Sequence, residues 1–175
     1  NIISITDSSY AEHFGFTQKE VDSILKDYGL EENCQTVKAW YDGYQFGDTE
    51  VYNPWSVINY VNSCCGNRNA LPRPYWSNTS SNSIVRTLVE KADISVKQEI
   101  EALIGGGTVT KAVHEDITYE DMDSTQENLW NFLFFTGYLK KVREYPDGED
   151  IFIEMAIPNS EVRYIYKNTV LRWFE

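Results

Sequence analysis

Helix-start signals recur along this chain far more often than strand patterns, and that imbalance limits the folds open to it. Thr17 with Glu20, Ser95 with Gln98, and Ser124 with Glu127 have the spacing of a capping box. In a capping box a hydroxyl and a carboxylate or amide satisfy orphan N–H groups of the first turn. Asn53-Pro54 and Pro158-Asn159 add two further starts, with Asn as cap and, at 54, Pro at the first helical position. Against these stand two alternating segments, 138–144 and 151–157, joined at Pro146-Asp147-Gly148. A short extended piece at Glu50-Val51-Tyr52 and a short strand over 108–113 are the further additions, too little for a sheet with helical crossovers.

Apolar spacing fills in the helices. Val21, Ile24, Leu25 and Tyr28 predict a helix over 18–28, with Phe16 and Val21 placed as a hydrophobic staple and Gly29 as its stop. A second over 34–41 buries Val37, Trp40 and Tyr41. The third, from Asn53-Pro54, carries Trp55, Ile58 and Val61 as its stripe, and 64–74 reads as a loop. A fourth carries Ile84, Val85, Leu88 and Val89. A fifth, opened by Ser95 and Gln98, carries Val96, Ile100, Leu103 and Ile104 and ends in Gly105-Gly106-Gly107. The stretch 129–135 is apolar nearly all round and predicts a buried helix. Val162, Ile165, Tyr166, Val170 and Trp173 mark the last. The chain is expected to be mainly α with a small β-hairpin.

Composition excludes several classes. Phe, Trp and Tyr make up 14% of 175 residues, which a disordered chain does not carry. Fifteen basic against twenty-seven acidic residues give a net charge of −12, so nucleic acid is not an expected partner. No apolar run approaches the roughly 20 residues of a membrane span. Three cysteines, Cys34, Cys64 and Cys65, form no disulfide framework and suit a reducing cytoplasm. Two histidines, His13 and His114, are too few for a zinc site or a Ser-His-Asp arrangement. The missing initiator Met and signal peptide read as a piece of a longer protein.

Candidate chemistry is sparse. There is no phosphate loop of the GxxxxGK[ST] kind, no GxGxxG and no GxSxG. The acidic residues Glu115, Asp116, Glu120, Asp121 and Asp123 suit a solvated loop better than a metal site or a metal-dependent nuclease. The block Trp40-Tyr41-Asp42-Gly43-Tyr44 with Tyr52-Asn53-Pro54-Trp55 is more unusual. It admits a ligand-facing turn, with stacking rings, an accepting Asp42 and a Gly43 that lets backbone approach, or a rigid aromatic-packed connection. The candidate contacts are Tyr41, Asp42, Gly43, Tyr44, Asn53, Trp55 and Trp76. Asn78, Thr79 and Ser80 at a helix start, with Arg86 one turn in, suit either an anion or ordinary capping. A helix followed by a hairpin over 125–157 is the layout of a winged-helix module. Its helix lacks Arg and Lys, and only Lys140, Lys141 and Arg143 give the wing a basic edge.

Six blocks together carry a resemblance. They are Phe14-Gly15-Phe16-Thr17, Trp40-Tyr41-Asp42-Gly43-Tyr44, Tyr52-Asn53-Pro54-Trp55-Ser56-Val57, Tyr75-Trp76-Ser77-Asn78-Thr79-Ser80, Leu129-Trp130 with Gly137-Tyr138-Leu139, and Ile157-Pro158-Asn159-Ser160-Glu161-Val162. In this order they resemble the predicted AAA-ATPase-like family of bacteria and archaea, in which a P-loop core is often followed by a PD-(D/E)XK nuclease-like domain. The resemblance implies that this chain is the part after the core: a helical lid over 1–105 and a winged-helix-like region over 106–175. ATP and Mg²⁺ would then belong to the full-length protein, with no cofactor in this chain. The partners would be the P-loop core and the nuclease-like domain. Arg86 and Lys38 are the cations a lid would offer to nucleotide. The alternative is a stand-alone protein-interaction module using the aromatic turn around Tyr41 and Trp55.

Overall fold

A computed structural model of the chain describes residues 15–46, 49–78, 80–113 and 126–171. The acidic segment around Asp116, Ser124 of the Ser124–Glu127 box, Thr79, Trp173 and both histidines lie outside these. The described residues are mainly α, with two small antiparallel sheets. They fall into two compact units, one running through Asn78 and including Asn159–Glu161, the other taking in 80–158 and the chain from Val162.

In the first unit, α1 (Gln18–Asp27) starts on a complete capping box: Thr17 Oγ1 accepts from Glu20 N, and the Glu20 carboxylate accepts from Thr17 N. A single 3-10 turn, Glu31–Asn33, leads into α2 (Cys34–Tyr41). Strands β1 (Tyr44–Phe46) and β2 (Thr49–Val51) then pair as a hairpin; the extended piece expected at Glu50-Val51-Tyr52 overlaps β2, and β1 falls where turns were expected. Phe16 and Tyr52 close an isolated antiparallel bridge with Phe16 N donating to Tyr52 O at 3.1 Å and Tyr52 N donating to Phe16 O at 2.8 Å. Glycine is required beside that bridge: a Cβ on Gly15 would lie 2.6 Å from Tyr52 O and 2.7 Å from Val51 Cγ2.

Helix α3 (Pro54–Gly66) starts as expected, with Asn53 Oδ1 accepting from Ser56 N, but runs into the predicted loop. Its buried face also differs. Ser56, Val57, Tyr60, Val61 and Cys64 face inward, whereas Trp55 and Ile58 are 60% and 54% exposed. The core they join contains Val21, Leu25, Leu30, Val37, Tyr41 and Tyr52.

The second unit holds α4 (Ser80–Lys91), α5 (Ile94–Ile104), β3 (Val109–Ala112), α6 (Gln126–Phe135), β4 (Lys140–Asp147), β5 (Asp150–Ala156) and the body of α7 (Ser160–Leu171). Helix α5 is capped by Asp93, whose side chain accepts from Val96 N. Ser95 lies inside the helix and donates its hydroxyl to Asp93 Oδ1, so the expected Ser95–Gln98 box is displaced by a better-placed carboxylate. The sheet runs β3-β5-β4, so the predicted hairpin gains a third strand. Ile153, Met155 and Ile157 are buried, as their alternation predicts, whereas Ile151 of the same alternation is 53% exposed; Val96, Ile100, Leu103 and Leu133 are also buried. On β4 the pairing slips between Lys141 and Arg143, leaving Val142 outside the register and half exposed. Lys111 ties three elements: its ammonium meets Glu99 of α5 at 2.7 Å and lies 5.3 Å from the ring centre of Trp130 on α6.

Candidate functional site

The aromatic turn is built inward. Gly43, in the left-handed region at φ 94°, swings the chain from the end of α2 into β1, a conformation that a Cβ would strain. Tyr41 is fully buried, its ring tilted against Tyr60 at 5.8 Å and Tyr75 at 6.3 Å. Its hydroxyl donates to Arg73 O at 2.9 Å and accepts from Arg73 N at 3.1 Å, pinning the chain after α3. Tyr52 donates its hydroxyl to Gln18 Oε1 at 2.6 Å, and Tyr60 accepts from Asn33 Nδ2 at 2.8 Å. Burial pushes the Tyr41, Tyr44 and Tyr52 phenols well up, so they stay neutral donors.

At the centre stands a residue that residue chemistry alone did not single out. Glu161, in the first turn of α7, is fully buried. Its Oε2 accepts from Ser56 Oγ at 2.6 Å and from Trp76 N at 3.2 Å, and its Oε1 accepts from Tyr44 Oη at 3.2 Å. Trp76 meets the Tyr44 ring edge-on at 5.5 Å. Asn159 Nδ2 donates to Asp42 O at 2.7 Å, so the segment before α7 also holds the turn. Four of the six blocks, those containing Asp42, Ser56, Trp76 and Glu161, thus meet in one buried hydrogen-bonded clasp. Burial pushes the Glu161 carboxyl up to about 7, against the pull of its donors from Ser56, Trp76 and Tyr44. An acidic residue in a first helical turn is commonplace, and that hid Glu161 among ordinary capping signals.

The other candidates are placed as follows. Asn53 caps α3, and its backbone N–H donates to Tyr41 O at 3.0 Å. Trp55 is exposed, its Nε1 donating to Tyr75 O at 3.4 Å. Asp42 is buried. Asn78 ends the 3-10 turn Tyr75–Asn78 and Ser80 begins α4. Arg86 is half-buried on α4 and Lys38 is exposed on α2; they belong to different units. Among the described residues no group of His, Cys, Asp or Glu side chains is arranged to hold a metal ion. Two of the three wing cations meet acids: Arg143 Nε lies 2.5 Å from Glu154 and Lys141 3.5 Å from Glu144. Tyr145 stacks on Phe152 at 5.8 Å on that face.

The chain matches no protein-family model and no solved structure. It is similar to a protein of Azotobacter chroococcum mcd 1 described as an uncharacterized protein in the vnfD 5' region, with 26% identity over 160 residues. That match covers 90% of this chain and 27% of the Azotobacter protein, so the chain spans about a quarter of its relative's length.

Proposed function

We propose that this chain is the accessory portion of a larger ATPase-like protein, a helical lid and a winged-helix-like region that couple nucleotide state in a P-loop core to a neighbouring, nuclease-like domain. The observation that carries this reading is the outer face of α3. Trp55 and Ile58, one turn apart, leave more than half their surface in solvent while the opposite face fills the core. Adjacent apolar side chains on an exposed helix face suit burial against further protein. The length of the Azotobacter relative supports a longer parent. The strand order β3-β5-β4, with α6 between β3 and β4, supports the winged-helix part. ATP and Mg²⁺ would be bound by the core, since hydrolysis needs a phosphate cradle and a metal that the motifs here do not supply. Winged helices often read DNA, but a helix before the hairpin that lacks Arg and Lys, and the pairing of Lys141 and Arg143 with acids, favour protein docking.

No helix among the described residues is long and apolar enough to cross a membrane. We place the protein in the cytoplasm on the strength of its three free cysteines.

The test is made in the natural full-length protein. Trp55→Lys with Ile58→Lys should lower ATP turnover at least tenfold while leaving the circular dichroism of the isolated 175-residue chain unchanged. Unaltered turnover in a full-length protein carrying both changes would overturn the docking role of α3. The stand-alone interaction module is the second reading, favoured by the exposure of Trp55 alone. Under it the isolated chain should capture a partner through Trp55 with no effect of nucleotide.

A further inference from the structure

The side of α7 that turns away from the core is basic, in a chain whose net charge is −12. Val162, Ile165, Tyr166 and Thr169 recur at helical spacing and are buried. The Tyr166 hydroxyl donates to Tyr138 O at 3.1 Å and the Thr169 hydroxyl to Ile165 O at 3.1 Å, so the polar atoms of that inner face have partners. The other side carries Arg163, Tyr164, Lys167, Asn168 and Leu171. From Val162 to Leu171 the helix has no acid. Tyr164 and Leu171, about two turns apart, are 44% and 65% exposed.

Arg163 is half-buried, and its Nε is sealed from solvent with no hydrogen-bond partner. A buried N–H without an acceptor is uncommon in folded proteins and costs the desolvation of that group. Lys111, Lys141 and Arg143 of the same unit each meet an acid, whereas among the described residues neither Arg163 nor Lys167 does. These two cations are four positions apart, on adjacent turns of one flank, where like charges repel.

One kind of neighbour relieves both defects. A carboxylate matches the side of a guanidinium, its two oxygens accepting from Nε and one Nη in parallel. A second carboxylate roughly 6 Å along, the rise of four helical residues, meets Lys167. An apolar side chain between them covers Tyr164 and Leu171. Phosphate would answer the charges and leave both apolar side chains in water. A second copy meeting this face with its own α7 would set cations against cations.

We propose that this face of α7 docks an acidic, apolar-containing segment of the longer parent protein, lying outside this chain. Arg163 is the carboxylate fork, Lys167 the second cation, and Tyr164 with Leu171 the apolar contact. The inference rests on the longer-parent part of the reading above and on nothing about ATP. The Azotobacter match takes in only 27% of that relative, which leaves most of its length to supply such a segment.

The experiment is carbodiimide cross-linking of the natural full-length protein, mixed from ¹⁴N and ¹⁵N preparations and read by peptide mass spectrometry. Carbodiimide joins a lysine amine directly to a carboxylate in contact with it. Lys167 should be joined to an Asp or Glu outside this chain, within one molecule. Arg163→Lys keeps the charge but loses the fork and should lower that product about tenfold. Leu171→Ser, at an exposed position outside the core, should lower it about fivefold. No product at Lys167 while other lysines react, a product that joins two copies, or an unchanged yield in both variants would overturn the docking face. A natural protein no longer than this chain would show in its mass before any cross-linking, and would bring down the longer-parent reading together with the inference built on it.

Discussion

Glu154 and Glu161 lie seven residues apart in sequence and in opposite environments. Glu154, on the open face of the three-stranded sheet, accepts from Arg143 and from Thr108, and those bonds hold its carboxyl below the usual range. Glu161, in the clasp of the first unit, has no cation and is pushed the other way by burial. The same side chain therefore does two kinds of work. On the sheet it is a screened surface partner, replaceable at little cost. In the clasp it is the acceptor on which a hydroxyl, a phenol and an N–H all depend. The first unit joins a buried polar clasp to its apolar core, and in the second Leu133, Met155 and Val96 are among the fully buried apolar side chains.

That contrast can be broken by mutation. Glu161→Ala leaves the Ser56, Tyr44 and Trp76 donors buried and unsatisfied and should cost about 4 kcal/mol in urea unfolding. Equal stability of this variant and wild type at pH 7.5 would remove Glu161 from the centre of the unit. Leu133→Ala, in the apolar core of the second unit, should cost about 3 kcal/mol and, unlike Glu161→Ala, the same amount at pH 5 and pH 8. A loss that varies with pH would show that the two units do not differ in kind. Gly15→Ala forces a methyl against Tyr52 O and should cost about 2 kcal/mol, with hydrogen-exchange protection lost first at the Phe16 and Tyr52 amides. Retained protection there would mean the bridge shifts without breaking. Glu154→Gln should change stability by less than about 1 kcal/mol, and high salt should erase that difference. A larger, salt-resistant loss would make the sheet face as demanding as the clasp.

Features made by neighbours in sequence were legible: the Thr17–Glu20 box, the Asn53-Pro54 start and the alternation that buries Ile153 and Met155. Features made by distant residues were not. The stripe expected on α3 set Trp55 and Ile58 inward because their spacing is helical. The true inner face includes Ser56, a polar residue that is buried because Glu161, 105 positions later, accepts its hydrogen bond. Asp93 displaced Ser95 as the cap of α5 by the same logic at short range, since two acceptors compete for one turn and the carboxylate fits. Of the β1–β2 hairpin only the extended piece at Glu50-Val51-Tyr52 was legible; β1 stayed hidden because its three residues sit among glycines and aromatics that signal turns. Of the candidate site, the aromatic block was visible as unusual. Its orientation was not, because ring content is the same in a turn that faces solvent and in one that faces a buried acid.

The outer edge of β4 has a consequence for the protein as a population of molecules. A strand edge with regular, unoccupied N–H and C=O groups can recruit the same edge of another copy. Here the slipped register at Val142 interrupts that row, Pro146 removes a donor further along, and Lys140, Lys141, Arg143 and Glu144 crowd charge between them. These features disfavour sheet growth from one molecule to the next at this border.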